Sequence, residues 1–207
     1  MLFESLPVGP LSVNCFVIAC PTTHEGIVVD PGGDVEQIVE LVRKHQLTIR
    51  AVINTHGHFD HIGGNQQAVA AFGAGLMIHR DDEPMLQRCA EVARNYGIQC
   101  QNSPPADSFL EDGAEISFGT CHLKVLHTPG HTRGGCCLYF EKERIVITGD
   151  TLFADSIGRT DLPGGSHQQL LDSIASKLFT LPDDVTAYPG HGASTTIGYE
   201  KANNPYF

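Results

Sequence analysis

The chain lacks a long apolar run, an N-terminal export signal and an excess of cations. No apolar segment approaches the roughly 20 residues that a membrane-spanning helix needs. The N-terminus has no basic segment followed by an apolar core, so we expect no signal peptide. Lysine and arginine number 13 against 24 acidic residues, for a formal net charge of −11. Because phosphate binding needs a basic face, this balance argues against nucleic-acid and anionic-membrane partners.

The spacing of the cysteines is typical neither of a disulfide-linked protein nor of a protein with a redox motif. There are seven, an odd number, and no C-x-x-C pair occurs. This usage favours a reduced, cytoplasmic setting over a disulfide framework. The hydrophobic content of 41% and the absence of low-complexity tracts are typical of a globular chain. We expect one domain over residues 1–207, built from two β-rich halves.

Periodicity predicts a mixed α/β chain. Strands are expected over Val13–Ala19, Ile27–Val29, Ala51–Asn54, Leu76–Ile78, Ala114–Phe118, His122–Leu126, Cys136–Phe140, Arg144–Thr148 and Val185–Tyr188. Helices are expected over Val35–His45, Ile62–Phe72, Asp82–Tyr96 and Gln168–Leu178. Asp34 is expected to cap the first helix. The helix over Asp82–Tyr96 fits a lid over a site and ordinary core packing equally well.

Seven side chains suited to metal binding dominate the functional interpretation. His56, His58, Asp60 and His61 stand within seven residues, and His131, Asp150 and His191 each follow a strand-like run beside glycine or proline. Imidazole and carboxylate groups are typical ligands of zinc, iron and manganese. Seven ligands are too many for one tetrahedral ion, but they suit two adjacent ions that share a carboxylate. Such a pair activates water.

These residues, in this order, resemble the metallo-β-lactamase superfamily and its four-layer αββα sandwich. Within it, Gly149–Phe153, Gly158–Asp161 and Tyr188–Gly192 resemble glyoxalase II, or hydroxyacylglutathione hydrolase, and above all its short, single-domain bacterial type. The resemblance implies that His56, His58 and His131 hold one metal, that Asp60, His61 and His191 hold the other, and that Asp150 bridges them. Two divalent ions are implied, with zinc favoured over iron or manganese.

The same resemblance implies a reaction. The nucleophile would be a hydroxide bridging the metals, and Asp60 would orient it or accept its proton. Glyoxalase II hydrolyses S-D-lactoylglutathione, and Arg159 matches a basic glutathione-binding position of that group. Asp161, however, stands where the longer enzymes carry tyrosine, and only 16 residues follow His191, so we expect no C-terminal helical glutathione-binding domain. A thioester, possibly a glutathione conjugate, is the expected small-molecule substrate.

Other functions on the same fold stay open. A persulfide dioxygenase would use one iron held by His56, His131 and Asp150. A lactonase or another small-ester hydrolase needs almost the same metal chemistry. A true β-lactamase is disfavoured, because those enzymes typically use cysteine where Asp150 stands. A non-catalytic metal-binding protein is the remaining class.

Overall fold

β-forming residues are concentrated in two parts of the chain, and each part builds a six-stranded sheet. The computed structural model describes all of residues 1–207. The chain divides into two compact units. The first contains Met1–Phe109 and Ser117–His122, and the second contains Leu110–Ile116 and Leu123–Phe207.

The first sheet has the strand order β1-β2-β3-β4-β5-β6. Its strands are β1 (Leu2–Val8), β2 (Val13–Ala19), β3 (Glu25–Val29), β4 (Thr48–Ile53), β5 (Gly75–His79) and β6 (Ser108–Leu110). The pairs β1–β2 and β2–β3 are antiparallel, whereas β3–β4 and β4–β5 are parallel. Nearly every side chain of β2 and β3 is buried, which explains why both segments are almost continuously apolar.

Five helices accompany this sheet. They are α1 (Val35–Lys44), α2 (Phe59–Ile62), α3 (Asn65–Phe72), α4 (Glu83–Leu86) and α5 (Cys89–Asn95), with a 3₁₀ turn at Arg80–Asp82 before α4. The buried face of α1, formed by Val35, Ile38 and Val42, joins the core of the first unit. Leu86 and Ala93 join the same core. The apolar spacing over Asp82–Tyr96 therefore reflects core packing.

The second sheet has the order β14-β13-β10-β9-β8-β7. Its strands are β7 (Glu115–Phe118), β8 (Cys121–His127), β9 (Cys136–Phe140), β10 (Ile145–Gly149), β13 (Thr186–Pro189) and β14 (Thr195–Thr196), and a separate hairpin contains β11 (Leu152–Phe153) and β12 (Ser156–Ile157). Strands β8 and β10 are both antiparallel to β9, and β13 is parallel to β10. The carboxyl ends of β8, β10 and β13 therefore lie at the same edge of the sheet.

The helices of the second unit are α6 (His167–Ser173), a π-helical turn at Ile174–Leu178 and α7 (Ile197–Asn203). Leu170, Ile174 and Leu178 pack into its core. The C-terminal Phe207 packs edge-on against Phe179, with ring centroids 4.7 Å apart, so the chain end folds back on its own unit. None of the helices has the length and apolar character needed to cross a membrane.

The structure corrects four predictions of local structure. Asp34 does not cap α1 with its side chain: its backbone is left-handed, with φ 45°, and its carboxylate accepts the Gly9 amide at 2.8 Å. The helix predicted over Ile62–Phe72 is divided into α2 and α3 at Gly63 and Gly64. The predicted helices over Asp82–Tyr96 and Gln168–Leu178 are also divided, the second by the π-helical turn. Strands β1, β6 and β14, the β11–β12 hairpin and helix α7 were not predicted.

Candidate metal centre

The histidine-rich motif lies directly after β4, at the carboxyl edge of the parallel part of the first sheet. His56 is buried and its Nδ1 lies 3.1 Å from the Thr55 hydroxyl. Its Nε2 lies 3.1 Å from Nδ1 of His58, and its ring centroid is 4.1 Å from that of His61. Asp60 Oδ2 lies 3.8 Å from His61 Nε2. The first unit thus brings its four predicted ligands together.

Asp30, which was not predicted as a site residue, organises this motif. Because Val29 pairs with Ile53 in parallel register, the residues that follow the two strands are neighbours. The fully buried Asp30 carboxylate accepts the Thr55 amide at 2.8 Å and the Thr55 hydroxyl at 2.6 Å. His61 Nδ1 donates to the same carboxylate at 2.9 Å. This bond orients the His61 ring and leaves Nε2 as the nitrogen able to bind a metal.

Two buried asparagines hold the segment behind the motif. Asn54 and Asn65 exchange side-chain hydrogen bonds of 3.1 and 2.7 Å. The Asn54 amide also donates to the His61 carbonyl at 3.3 Å, and the Asn65 amide donates to the Ser103 hydroxyl at 2.9 Å. Buried amides with satisfied partners fix one arrangement of the backbone. Nothing in the local sequence marks these asparagines as supports of the motif.

The glycines in and around the motif allow close packing of backbone segments. A Cβ on Gly57 would lie 2.8 Å from the Met85 side chain, and one on Gly64 would lie 2.4 Å from the Pro31 carbonyl oxygen. At Gly32 a Cβ would lie 1.6 Å from the Asp60 carbonyl oxygen. The turn after β3 therefore supports the Asp60 backbone directly, and any larger residue at Gly32 displaces it.

The second unit brings its three predicted ligands together at the shared edge of β8, β10 and β13. Gly149 pairs with Pro189 in parallel register, so Asp150 and His191 leave adjacent strands side by side. Asp150 Oδ2 lies 3.5 Å from Nε2 of His131 and 3.9 Å from Nε2 of His191. A carboxylate that lies between two imidazoles is suited to be a ligand shared by two metal ions. The exposed fraction of the side chain is 5% for His131 but 29% for His191.

The β11–β12 hairpin returns the chain to this group. His131 Nδ1 donates to the Arg159 carbonyl oxygen at 2.7 Å, which orients the ring and leaves Nε2 facing Asp150. A Cβ on Gly158 would lie 1.8 Å from the Asp150 carbonyl oxygen and 3.2 Å from His131 Nδ1. Glycine is thus needed here for the close approach of two backbone segments.

The Arg159 side chain, predicted to bind substrate, is engaged by a neighbour. Its Nε and one terminal nitrogen donate to the two oxygens of Asp161, both at 2.8 Å. The Arg159 guanidinium holds the pKa of the Asp161 carboxyl at about 2. The Arg159 side chain is 58% exposed, so the pair lies in water. Binding a substrate carboxylate at Arg159 therefore requires competition with Asp161.

A cavity of about 440 Å³ in the first unit has Asp60 in its wall. Leu11, Phe59, Gln67 and Cys100 also line it. Tyr96 stacks on Phe59 with ring centroids 5.1 Å apart. The sequence does not indicate this cavity, because its lining comes from four separate segments of the unit.

The donor set of each group fits a divalent metal ion. Imidazole nitrogens and carboxylate oxygens are the ligands that zinc, iron and manganese accept, and buried partners orient the rings of His61 and His131. Of the two histidines that lie against Asp150, His191 is more exposed than His131. The chain therefore carries His/Asp clusters suited to divalent metal binding.

Comparisons with known proteins agree with this chemistry. A profile of the metallo-beta-lactamase superfamily matches residues 8–191. Hydroxyacylglutathione hydrolase GloC of Haemophilus influenzae is 33% identical over 213 residues, which covers 100% of this chain and 98% of that protein. The crystal structure of BLEG-1 B3 metallo-beta-lactamase has a TM-score of 0.92 and 38% identity, and covers 99% of both chains. The structure of TTHA1623 in a di-iron-bound form has a TM-score of 0.91 and 33% identity, and covers 99% of this chain and 100% of that one. The predicted metallo-β-lactamase fold is thereby confirmed.

Proposed function

Because this chain belongs to the metallo-β-lactamase superfamily, we propose that it is a metal-dependent hydrolase of acyl thioesters, with S-D-lactoylglutathione as the foremost candidate substrate. The observation that carries this proposal is the full-length similarity to the hydroxyacylglutathione hydrolase GloC. The His/Asp clusters support the metal dependence. The similarity to a di-iron structure means that iron competes with zinc as the native metal.

We propose that the seven predicted ligands form one binuclear centre. His56, His58 and His131 would hold one ion, and Asp60, His61 and His191 would hold the other. Asp150 would be shared. The contacts within each unit support this assignment: the rings of His61 and His131 are oriented by buried acceptors, and Asp150 lies against both histidines of its group.

The bound metal ions would supply hydroxide near neutral pH and polarise the thioester carbonyl. The protein's own contribution is to place donors and hold protons. Asp60, whose carboxylate oxygen lies 3.8 Å from Nε2 of His61, is the group proposed to accept the proton of the attacking water. Asp30 keeps the proton of His61 on Nδ1, and the Arg159 carbonyl keeps that of His131 on Nδ1. A thiolate leaves without strong acid assistance, so no further acid is required.

Arg159 is proposed to contact the glutathione part of the substrate. Its guanidinium is exposed and pre-positioned by Asp161. A substrate carboxylate offers the same bidentate geometry as the Asp161 carboxylate and would replace it. This exchange makes a modest contribution to binding, because one ion pair is formed as another is broken.

The test is hydrolysis of S-D-lactoylglutathione by the protein as purified, by a chelated sample and by a sample reloaded with zinc or iron. We expect turnover that is lost on chelation and restored by metal. His58→Ala should abolish turnover and lower metal content. The matched control is His122→Ala, which removes an exposed histidine whose side chain is hydrogen-bonded to the Ser117 hydroxyl. Full turnover in His58→Ala, or none in the metal-loaded protein, contradicts the proposal.

Hydrolysis of a β-lactam is a second candidate, favoured by the similarity to BLEG-1. It had been disfavoured because Asp150 stands where many β-lactamases carry cysteine. The same samples should therefore be assayed on a β-lactam, on a lactone and, with oxygen uptake measured, on glutathione persulfide. The thioesterase proposal requires kcat/KM to be highest on the thioester. A higher value on any other substrate assigns the activity to that class.

A further inference from the structure

Two cysteines outside the ligand set lie with their sulfur atoms close together. Cys89 is the first residue of α5 and is 2% exposed. Cys100 lies in the loop after α5 and is half-buried. Their Sγ atoms are 3.2 Å apart, although both residues are free thiols. A disulfide has an S–S length of about 2.05 Å, so roughly 1.2 Å of approach would join them.

The backbone holds this loop in place on both sides of Cys100. The Ile98 amide donates to the Ala93 carbonyl at 3.0 Å, and the Ser103 amide donates to the Leu86 carbonyl at 3.1 Å. The Cys100 side chain therefore stays against the start of α5 instead of moving freely. A short sulfur–sulfur distance on a restrained loop is the arrangement from which a disulfide forms with little rearrangement.

The two thiols differ in access. Cys100 lines the cavity of about 440 Å³ and is only half-buried, so it is the more accessible of the two. Cys89 lies behind it, with Sγ 3.8 Å from the Phe59 carbonyl oxygen. An accessible cysteine beside a buried one suits a pair in which the first reacts with an oxidant and the second resolves the product.

We propose that Cys89 and Cys100 are a modification site, a dithiol that hydroperoxides convert to a reversible disulfide. The Cys100 thiolate attacks one peroxide oxygen and the O–O bond breaks. With hydrogen peroxide, this step gives a sulfenic acid on Cys100 and releases water. The Cys89 sulfur then displaces the hydroxyl group from Cys100 sulfur, so that an S–S bond forms and a second water leaves. Two electrons from the sulfur pair reduce the peroxide, and a dithiol reductant reverses the change.

The position of the pair links this chemistry to the cavity wall. Cys89 contacts the residue that precedes Asp60, and Cys100 is part of the same cavity as Asp60. The disulfide would fix the loop after α5 to the helix start. The pairing of Cys89 with Cys100 is independent of the proposed function, because it rests on the 3.2 Å distance between the two sulfur atoms.

The test uses the metal-loaded full chain carrying Cys121→Ser. Trypsin cleaves after Arg88, Arg94 and Lys124, so in this background Cys89 and Cys100 lie in two peptides that contain no other cysteine. The protein is treated with hydrogen peroxide, its remaining thiols are alkylated in denaturant, and the digest is analysed by mass spectrometry. We expect a linked pair of peptides that dithiothreitol separates, while Cys15 and Cys136 stay alkylatable.

Cys100→Ser should give no linked peptide and leave Cys89 as a thiol. Cys89→Ser should leave Cys100 as a sulfenic acid that a dimedone-type probe traps. The main result needs no substitution at Cys89 or Cys100, so it stands even where either of these two variants folds poorly. Full alkylation of both cysteines after peroxide, conversion of Cys100 to sulfinic acid with Cys89 unchanged, or linkage of either one to another cysteine overturns the proposal.

Discussion

Replacing Asp30 with asparagine tests how the first unit prepares its metal ligands. The Asp30 carboxylate is fully buried and accepts three hydrogen bonds, two from Thr55 and one from His61 Nδ1. Asparagine has nearly the same size but only one acceptor oxygen. Its NH₂ group would face a donor on Thr55 or on His61. The His61 proton then moves to Nε2, where it blocks metal binding.

The hydrogen bonds of Asp30 allow the losses of metal affinity and of unfolding free energy to be estimated. Loss of a partner that orients a metal-binding histidine typically costs about 10–100-fold in metal affinity. That range corresponds to roughly 1.4–2.8 kcal/mol of binding free energy. A buried hydrogen bond to a charged group contributes about 1.5–3 kcal/mol, so the free energy of unfolding should fall by a similar amount. The loss of affinity should affect the ion assigned to Asp60, His61 and His191.

The assay is metal titration against a competing chelator, with unfolding in urea measured on the same Asp30→Asn sample. One of the two ions should bind about 10–100-fold more weakly, and the other should be nearly unchanged. Asp107→Asn is the matched control, because the Asp107 carboxylate accepts a hydrogen bond from the Leu76 amide at 2.8 Å and contacts no metal-ligand candidate. Unchanged affinity for both ions in Asp30→Asn refutes the assigned role of this carboxylate.

Three other substitutions probe the second unit. Asp150→Ala should lower metal content and kcat more than His191→Ala, because Asp150 is assigned to both ions; equal losses in elemental analysis and kinetics would contradict the shared role. Asp161→Asn should release Arg159 and lower KM for glutathione thioesters. Since the Asp161 pKa is lowered to about 2, the pair forms above that pH and is lost only as pH falls through it. KM should therefore show no step from this pair in mildly acidic assays, and an unchanged KM in Asp161→Asn removes Arg159 from the site. Gly158→Ala places a Cβ 1.8 Å from the Asp150 carbonyl and should cost roughly 1–3 kcal/mol of unfolding free energy. Gly75→Ala, whose Cβ would have its nearest neighbour at 3.5 Å, should lower Tm less, and the reverse order would contradict the clash.

The sequence predicted best where local pattern and burial coincide. Strands Val13–Ala19 and Cys136–Phe140 have the predicted bounds because each is a run of β-branched, aromatic and other apolar residues buried on both faces. The seven candidate ligands were found because their residue types and spacing are unusual. Within each unit, the structure places the predicted members close together.

Long-range packing decided the features that the sequence could not predict. Asp30 reaches His61 only because β3 and β4 pair in a particular parallel register. The break between α2 and α3 follows from the close approach of Gly64 to Pro31, far from it in sequence. Helix α7 buries only Ile197 and Glu200, which is too little for a visible apolar period. The Glu200 carboxylate accepts hydrogen bonds from Thr195 at 2.5 Å and Asn204 at 2.7 Å, and from the amide of Asp155, distant in sequence, at 3.2 Å.

The most direct test of the binuclear hydrolase is a titration of the metal-free chain with zinc, and separately with iron, while bound metal and S-D-lactoylglutathione hydrolysis are measured on the same sample. The proposed centre predicts that hydrolysis rises until two ions are bound per chain and then stays constant. Full hydrolysis with one ion bound, or two bound ions with no thioester hydrolysis, would contradict it.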